Sequence, residues 1–245
     1  MNEIIQLSPF MVKYQLIAVL LSAVIGYFLL RYKMNKLNIE PEVFSDVLAG
    51  TLFIGIVVWK FGGVFFNPSV LWTNPLSILF ISGSEKTIIF AIFSSCLYLG
   101  YKLKKGNMPF YYCFDVLPFG ILPFVFIYSL LVPGIGFETT LPWGKSLANS
   151  EVNYHPIGYY RAVLFAFLTF YILRLKANVG TGINFSQSSI GIGAIGLLTS
   201  FFIHQDIVLI GLSFNQLLHL ILLLFGIAVF KSNKTVEKDE TQFIN

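Results

Sequence analysis

The sequence predicts an all-α polytopic membrane bundle of about seven transmembrane helices, with the N-terminus outside and the C-terminus in the cytoplasm. Three observations predict it. Hydrophobic residues make up 56% of the 245-residue chain and charged residues only 11%, with a mean hydropathy of +0.77, far from the soluble average of roughly 45–50% apolar and about 25% charged. Apolar runs of membrane-crossing length recur along the chain. The few Lys and Arg fall in short clusters between those runs rather than along amphipathic faces.

Crossing about 30 Å of hydrocarbon takes roughly 20 residues. On that measure the spans fall near Met11–Leu30, Phe44–Phe66, Thr87–Gly100, Phe114–Val132, Gly158–Leu173, Ser188–Phe202 and Ile207–Phe230. The segment 1–10 holds Glu3 and Pro9 and leads straight into an apolar run, unlike the basic start and small-residue cleavage site of a signal peptide, so the first span is expected to be retained. The clusters Arg31/Lys33/Lys36, Lys102/Lys104/Lys105, Arg174/Lys176 and Lys231/Lys234/Lys238 follow spans one, three, five and seven. By the positive-inside rule these links are cytoplasmic, and the N-terminus is outside.

Two outer segments stand out. Residues 133–154 carry Pro133, Gly134, Gly136, Pro142, Trp143 and Gly144, turn chemistry expected to form a cap or short interfacial helix. Residues 67–84, with Trp72, Asn74 and Pro75, are expected to form a short interfacial or re-entrant piece. Residues 1–230 are read as a single transmembrane domain, and 231–245, polar and mixed in charge, as a disordered cytoplasmic tail.

Several function classes receive no support. The net charge of +4 comes without a basic stripe interleaved with aromatics, which argues against nucleic acid as a partner. Cys96 and Cys113 form neither a disulfide framework nor a metal spacing. No Ser-His-Asp spacing, phosphate-cradling glycine loop or His pair is present, and no cofactor is implied.

The informative residues are the polar ones inside spans, because a charge at mid-bilayer costs about 2.5–3.5 kcal/mol without a partner or water. Lys60 lies toward the outer half of span two among Gly55, Gly62 and Gly63. It reads either as a cation that holds a phospholipid phosphate or as a lysine snorkelling to the interface. Arg161, one turn into span five after His155, Pro156 and Tyr160, reads either as a bidentate phosphate clamp or as an arginine reaching back to the headgroups. His219, well inside span seven, reads as a polar helix contact or a proton relay. Asp46 and Asp115, near the cytoplasmic starts of spans, are read as structural complements to helix dipoles.

Across almost its whole length the chain resembles the prolipoprotein diacylglyceryl transferases, bacterial seven-span enzymes that move a diacylglyceryl group from phosphatidylglycerol to a preprolipoprotein cysteine. Tyr14 falls where the family has a first-span tyrosine, and Gly55 to Phe66 is similar to its Gly-Ala-Arg-Leu-Gly segment with Lys60 in place of the arginine. Asn74-Pro75-Leu76 with Ile78-Leu79 is similar to its His-Pro-Leu-Glu-Ile-Leu stretch, and Met108-Pro109-Phe110 with Asp115 to the entry of span four. Leu141-Pro142-Trp143, His155-Pro156 with Tyr160, and Gly211-Leu212-Ser213 with Gln216-Leu217-Leu218 match later pieces in order.

The departures fall where the family does its chemistry. Its His-Gly-Gly is replaced by Ser84-Glu85-Lys86-Thr87, its Gly-Arg-Ile-Gly-Asn-Phe finds no arginine or asparagine in Phe124 to Gly136, and the glutamate of its His-Pro motif has become Arg161. Gly196-Leu197-Leu198 stands where a late arginine would be.

The resemblance implies a multi-pass protein of the bacterial inner membrane with phosphatidylglycerol and an exported preprolipoprotein as partners. Under that reading Lys60, Tyr160 and Arg161 bind substrate, and His155 and Tyr14 are the catalytic candidates, with His219 a further group able to take a thiol proton. Two other readings stay open: a non-catalytic lipid-binding partner or regulator in envelope biogenesis, and a small transporter, which the strongly apolar spans do not encourage.

Overall fold

The computed structural model describes residues 4–7, 10–39, 41–73, 85–106, 110–146, 152–175 and 179–242. The expected motif pieces at Asn74–Leu79, Ser84 and Met108–Pro109 lie outside the described residues.

The architecture is helical with small sheets, and long helices account for all the expected spans. After the hairpin β1 (Ile4–Leu7) and β2 (Phe10–Lys13) come α1 (Tyr14–Lys36), α2 (Pro41–Phe61), the short α3 (Gly63–Phe66) and α4 (Val70–Thr73), and α5 (Glu85–Lys105). Next follow α6 (Phe110–Val116) and α7 (Pro118–Leu131), then β3 (Ile135–Thr139), β4 (Lys145–Ser146) and β5 (Asn153–Pro156). The chain continues with α8 (Ile157–Arg174), α9 (Ile183–Ser200), the hairpin β6 (Ile207–Leu209) and β7 (Leu212–Ser213), and α10 (Phe214–Gln242). Among the described residues five segments are long and apolar enough to cross a membrane: Ile17–Lys36, Phe44–Phe61, Phe110–Leu131, Ile157–Arg174 and Phe214–Ser232. Helices α5 and α9 match the third and sixth expected spans but are more polar, with Lys102, Lys104 and Lys105 ending one and Asn184, Ser186, Ser188 and Ser189 opening the other. The chain is an all-α polytopic membrane protein.

Local chemistry explains the helix boundaries. The 110–131 pass breaks at Leu117 because Pro118 has no N–H for the preceding turn. Span two ends at Phe61, and Gly62 alone divides it from α3, where a continuous run to Phe66 was expected. Span one starts at Tyr14 rather than Met11 because Phe10 to Lys13 pair in the β1–β2 hairpin. The last helix begins at Phe214, not Ile207: Ile210 (φ 52°) and Gly211 (φ 76°) turn the intervening residues into a hairpin of the kind that needs two positive φ values. It then runs on to Gln242.

The outer segment 133–154 also differs from expectation. It forms a three-stranded antiparallel sheet, order β3-β5-β4, in which Ile135 pairs Pro156 and Lys145 pairs Tyr154. The Phe137 N–H donates to the Phe202 carbonyl at 2.8 Å, which ties β3 to the end of α9.

Contacts group the chain into two compact units, 1–37 with 111–245, and 38–110. The smaller unit is an α2–α5 pair closed through small residues. A Cβ on Gly55 would meet Ser95 Oγ at 2.6 Å, one on Gly62 would meet Thr87 Cγ2 at 3.3 Å, and Ser95 Oγ donates to the Thr51 carbonyl at 3.2 Å. Close backbone approach of this kind is how helices associate in lipid, where burial of apolar side chains gives no driving force.

In the larger unit α7 packs on α1 and α8, and α9 packs on α10. Gly26 sits against Gly120, where a Cβ would lie 2.7 Å from the Gly120 carbonyl oxygen. Buried polar groups hold the helix ends. Asp115, fully buried, accepts from the backbone N–H of Gly180 (2.9 Å), Gly182 (2.7 Å) and Phe185 (2.9 Å), so its carboxylate caps the N-terminus of α9 rather than its own helix. The left-handed Gly180 (φ 99°) and Gly182 (φ 77°) let the loop wrap that carboxylate. Lys33 Nζ donates to the Leu173 carbonyl at 2.6 Å near the end of α8 and lies 5.3 Å from the Phe119 ring centroid.

Candidate functional site

The larger unit holds a half-open cavity of about 710 Å³ between α7, α8, α9 and α10. Its polar lining is Tyr128 and Ser129 from α7, Arg161 from α8, Ser200 from α9, His204 and Gln205 from the following loop, and Asn215 and His219 from α10. Ile121, Val125, Phe165 and Ile192 supply apolar wall. Among the described residues no carboxylate lines it, and Arg161 is its fixed charge. A half-buried guanidinium without a carboxylate, in a low-dielectric span, favours an anionic ligand.

Position along the helices explains the grouping. Gly158, Arg161 and Phe165 repeat at helical spacing on one face of α8, as Ile192, Gly196 and Ser200 do on α9. Arg161 Nε donates to Thr199 Oγ1 at 3.1 Å, and that hydroxyl donates to the Gly196 carbonyl at 3.3 Å. The planar fork is thereby oriented through one donor, and among the described residues no protein hydrogen bond engages its Nη groups.

His219 is held as firmly. Its Nδ1 lies 2.6 Å from the Asn215 carbonyl, an acceptor only, so Nδ1 carries the proton and the neutral ring keeps its Nε2 lone pair. The ring rests against Gly196, where any Cβ would overlap its Cδ2 and Nε2. Gly193 performs the same service one turn earlier, since a Cβ there would lie 2.7 Å from the His219 carbonyl oxygen. The glycines therefore make the space that seats His219 in the cavity lining.

The other candidates lie elsewhere. Tyr160 and His155 come together outside the cavity lining: His155 Nδ1 is 3.1 Å from Tyr160 Oη, and Trp143 Nε1 donates to the same hydroxyl at 2.9 Å. Phe202 closes this group, its ring centroid 5.0 Å from that of His155 and 5.9 Å from that of Tyr160. Because Tyr160 Oη accepts from Trp143, its own proton is free to be donated to His155 Nδ1, which leaves the proton of a neutral ring on Nε2. Tyr14 Oη donates to the Leu131 carbonyl at 2.9 Å and ties α1 to the end of α7. Lys60 is half-buried in the last turn of α2 and belongs to the smaller unit.

Sequence reasoning singled out Arg161, Tyr160, His155 and His219 but missed Thr199, Asn215, Trp143 as a hydrogen-bond donor, and Tyr128. Asn215 had a signal, since it lies one helical turn before His219. Thr199 had none, being a common residue far along the chain from Arg161.

No protein-family model matches the chain. It is 25% identical over 255 aligned residues, covering 93% of this chain and 92% of the relative, to a phosphatidylglycerol–prolipoprotein diacylglyceryl transferase of Wolbachia pipientis wMel. It is 26% identical over 112 residues, 46% of this chain and 40% of the relative, to a protein of the same name from Shouchella clausii (strain KSM-K16). With near end-to-end similarity and a polytopic helical fold, this chain is a distant relative of the prolipoprotein diacylglyceryl transferases.

Proposed function

We propose that this protein is a multi-pass protein of the bacterial inner membrane that binds phosphatidylglycerol through its phosphate at Arg161 and takes part in lipoprotein biogenesis, with its N-terminus outside. The observation that carries the reading is the cavity around Arg161, free of carboxylates among the described residues, in a chain aligned nearly end to end with a phosphatidylglycerol–prolipoprotein diacylglyceryl transferase. Four guanidinium N–H donors remain for phosphate oxygens once Nε is engaged by Thr199, and charge-assisted hydrogen bonds of that kind are the strong ones.

Diacylglyceryl transfer asks two things of such a site. The carbon–oxygen bond to phosphate breaks and glycerol phosphate departs as an anion, which Arg161 is placed to stabilise. A sulfur–carbon bond forms as the thiol loses its proton, and the unperturbed thiol pKa of about 8.5 calls for a base. His219 Nε2, with its tautomer fixed by Asn215, offers a lone pair at that cavity. His155, Tyr160 and Tyr14 remain candidates through the Trp143-Tyr160-His155 chain and the family position of Tyr14. Lys60, in the smaller unit, remains a phosphate-binding candidate on its family position alone.

A second reading is a non-catalytic lipid-binding partner or regulator. It is favoured by the engagement of Tyr14 with Leu131 and of His155 with Tyr160, which gives both residues structural roles. One experiment separates the two readings: this chain and its Arg161→Gln variant are expressed in a bacterium depleted of its own diacylglyceryl transferase, with growth and lipidation of a reporter lipoprotein followed beside native mass spectrometry of bound phosphatidylglycerol. Rescue lost in the variant supports the transferase. Binding without rescue supports the partner, and wild-type protein that neither binds nor rescues rejects both.

A further inference from the structure

From the Arg161 cavity toward the Asp115 end of the unit, α8 and α9 carry deeply buried polar atoms that lack hydrogen-bond partners among the described residues: Thr169 Oγ1, Asn184 Nδ2 and Ser188 Oγ. These residues are 7%, 2% and 2% exposed. Serine and threonine in helices usually bond back to a carbonyl of the preceding turn, as Ser186 does to Ile183 (2.9 Å) and Ser200 to Leu197 (2.6 Å). Thr169 and Ser188 do not.

The placement of the three is not scattered. Phe165 on α8 and Ile192 on α9 line the cavity, and one further turn along each helix brings Thr169 and Ser188, with Asn184 a turn beyond. The antiparallel register is fixed at several levels. Arg161 bonds Thr199 at 3.1 Å, Tyr171 Oη donates to Gln187 Oε1 at 3.3 Å, and a Cβ on Gly191 would lie 2.6 Å from Leu168 Cδ1. Thr169 and Ser188 therefore stand within a turn of each other across the α8–α9 contact. Inside a bilayer an unsatisfied polar group has no lipid partner and costs several kcal/mol.

We infer that Thr169, Asn184 and Ser188 bind ordered water, forming a hydrated seam that continues the Arg161 cavity toward the Asp115 cap. A buried water needs two to four polar partners. Two hydroxyls and an amide N–H supply donors and acceptors of both kinds, and the adjoining cavity supplies an entrance. The inference stands whether or not the cavity is catalytic.

The test uses the full chain in nanodiscs of phosphatidylethanolamine and phosphatidylglycerol. X-ray hydroxyl-radical labelling, with rapid mixing into ¹⁸O-water, reports side chains beside bound water that exchanges slowly. Ile172 is fully buried and one turn from Thr169, so bulk water does not reach it. The seam predicts labelling of Ile172 with slow ¹⁸O uptake, lost in a Thr169→Val/Ser188→Ala double variant whose Tm falls by about 2–4 °C. An unlabelled Ile172 in the wild type, or a Tm that rises in the double variant, would show dry orphaned groups and overturn the inference.

Discussion

Removing the Asp115 carboxylate tests how the larger unit is held together. Asp115→Ala strands three backbone donors, those of Gly180, Gly182 and Phe185, now satisfied at 2.7–2.9 Å. A stranded buried donor costs about 1–3 kcal/mol. The Gly182 bond is fully buried while the other two are part-buried, so partial hydration limits the loss to roughly 3–4 kcal/mol. In a chain of this length each kcal/mol moves the melting temperature by about 2–4 °C, so Tm should drop by roughly 6–16 °C.

Asp115→Asn keeps one acceptor oxygen but turns an NH₂ toward the N–H groups, and should fall between the two. The assay is a thiol-reactive dye melt in a Cys96→Ala background. Cys96 is exposed, whereas Cys113 is buried two residues before Asp115 and reports opening of this region. A Tm for Asp115→Ala within about 2 °C of the parent would refute the view that this carboxylate secures the start of α9.

Three further substitutions read the helix contacts and the aromatic group. Gly196→Ala drives a methyl into the His219 ring and should destabilise by about 1–3 kcal/mol, whereas Gly100→Ala, with open space around its Cβ in mid-helix, should stabilise by up to about 1 kcal/mol; scanning fluorimetry of both ranks them against the parent. Tyr160→Phe removes the acceptor of the Trp143 indole, and a red-shifted Trp143 emission in a Trp59→Phe/Trp72→Phe background is expected, with less than about 1.5 kcal/mol of stability lost.

The helices were legible because lipid imposes a length on them, and length is readable one residue at a time. Arg161 was legible for the same reason, a charge being conspicuous within an apolar run. The outer sheet was hidden because β3, β4 and β5 span only two to five residues each and carry a register irregularity between Ile135 and Glu138, too little for a period-2 pattern to emerge. The β6–β7 hairpin was absorbed into the last span because Ile207, Val208, Leu209 and Ile210 are apolar yet 57–86% exposed. Only Gly211 marked the turn. Asp115 was recognised as structural, but its partners lie 65 to 70 residues away, a separation that a helix-dipole argument about its own span does not reach.

The α9–α10 contact has a thermal consequence. Its closeness comes from Gly193 and Gly226, where backbone meets backbone, and from Gly196, which receives the His219 ring, with no room for a methyl group at any of them. Cores of water-soluble proteins are driven together by release of hydration water, and that drive carries a large heat capacity and weakens on cooling. Two helices that part within lipid expose little new surface to water. The cohesion of this pair rests on dispersion between closely fitted atoms, so separating α9 from α10 should show a small heat-capacity change, and the wall behind His219 should stay closed in the cold.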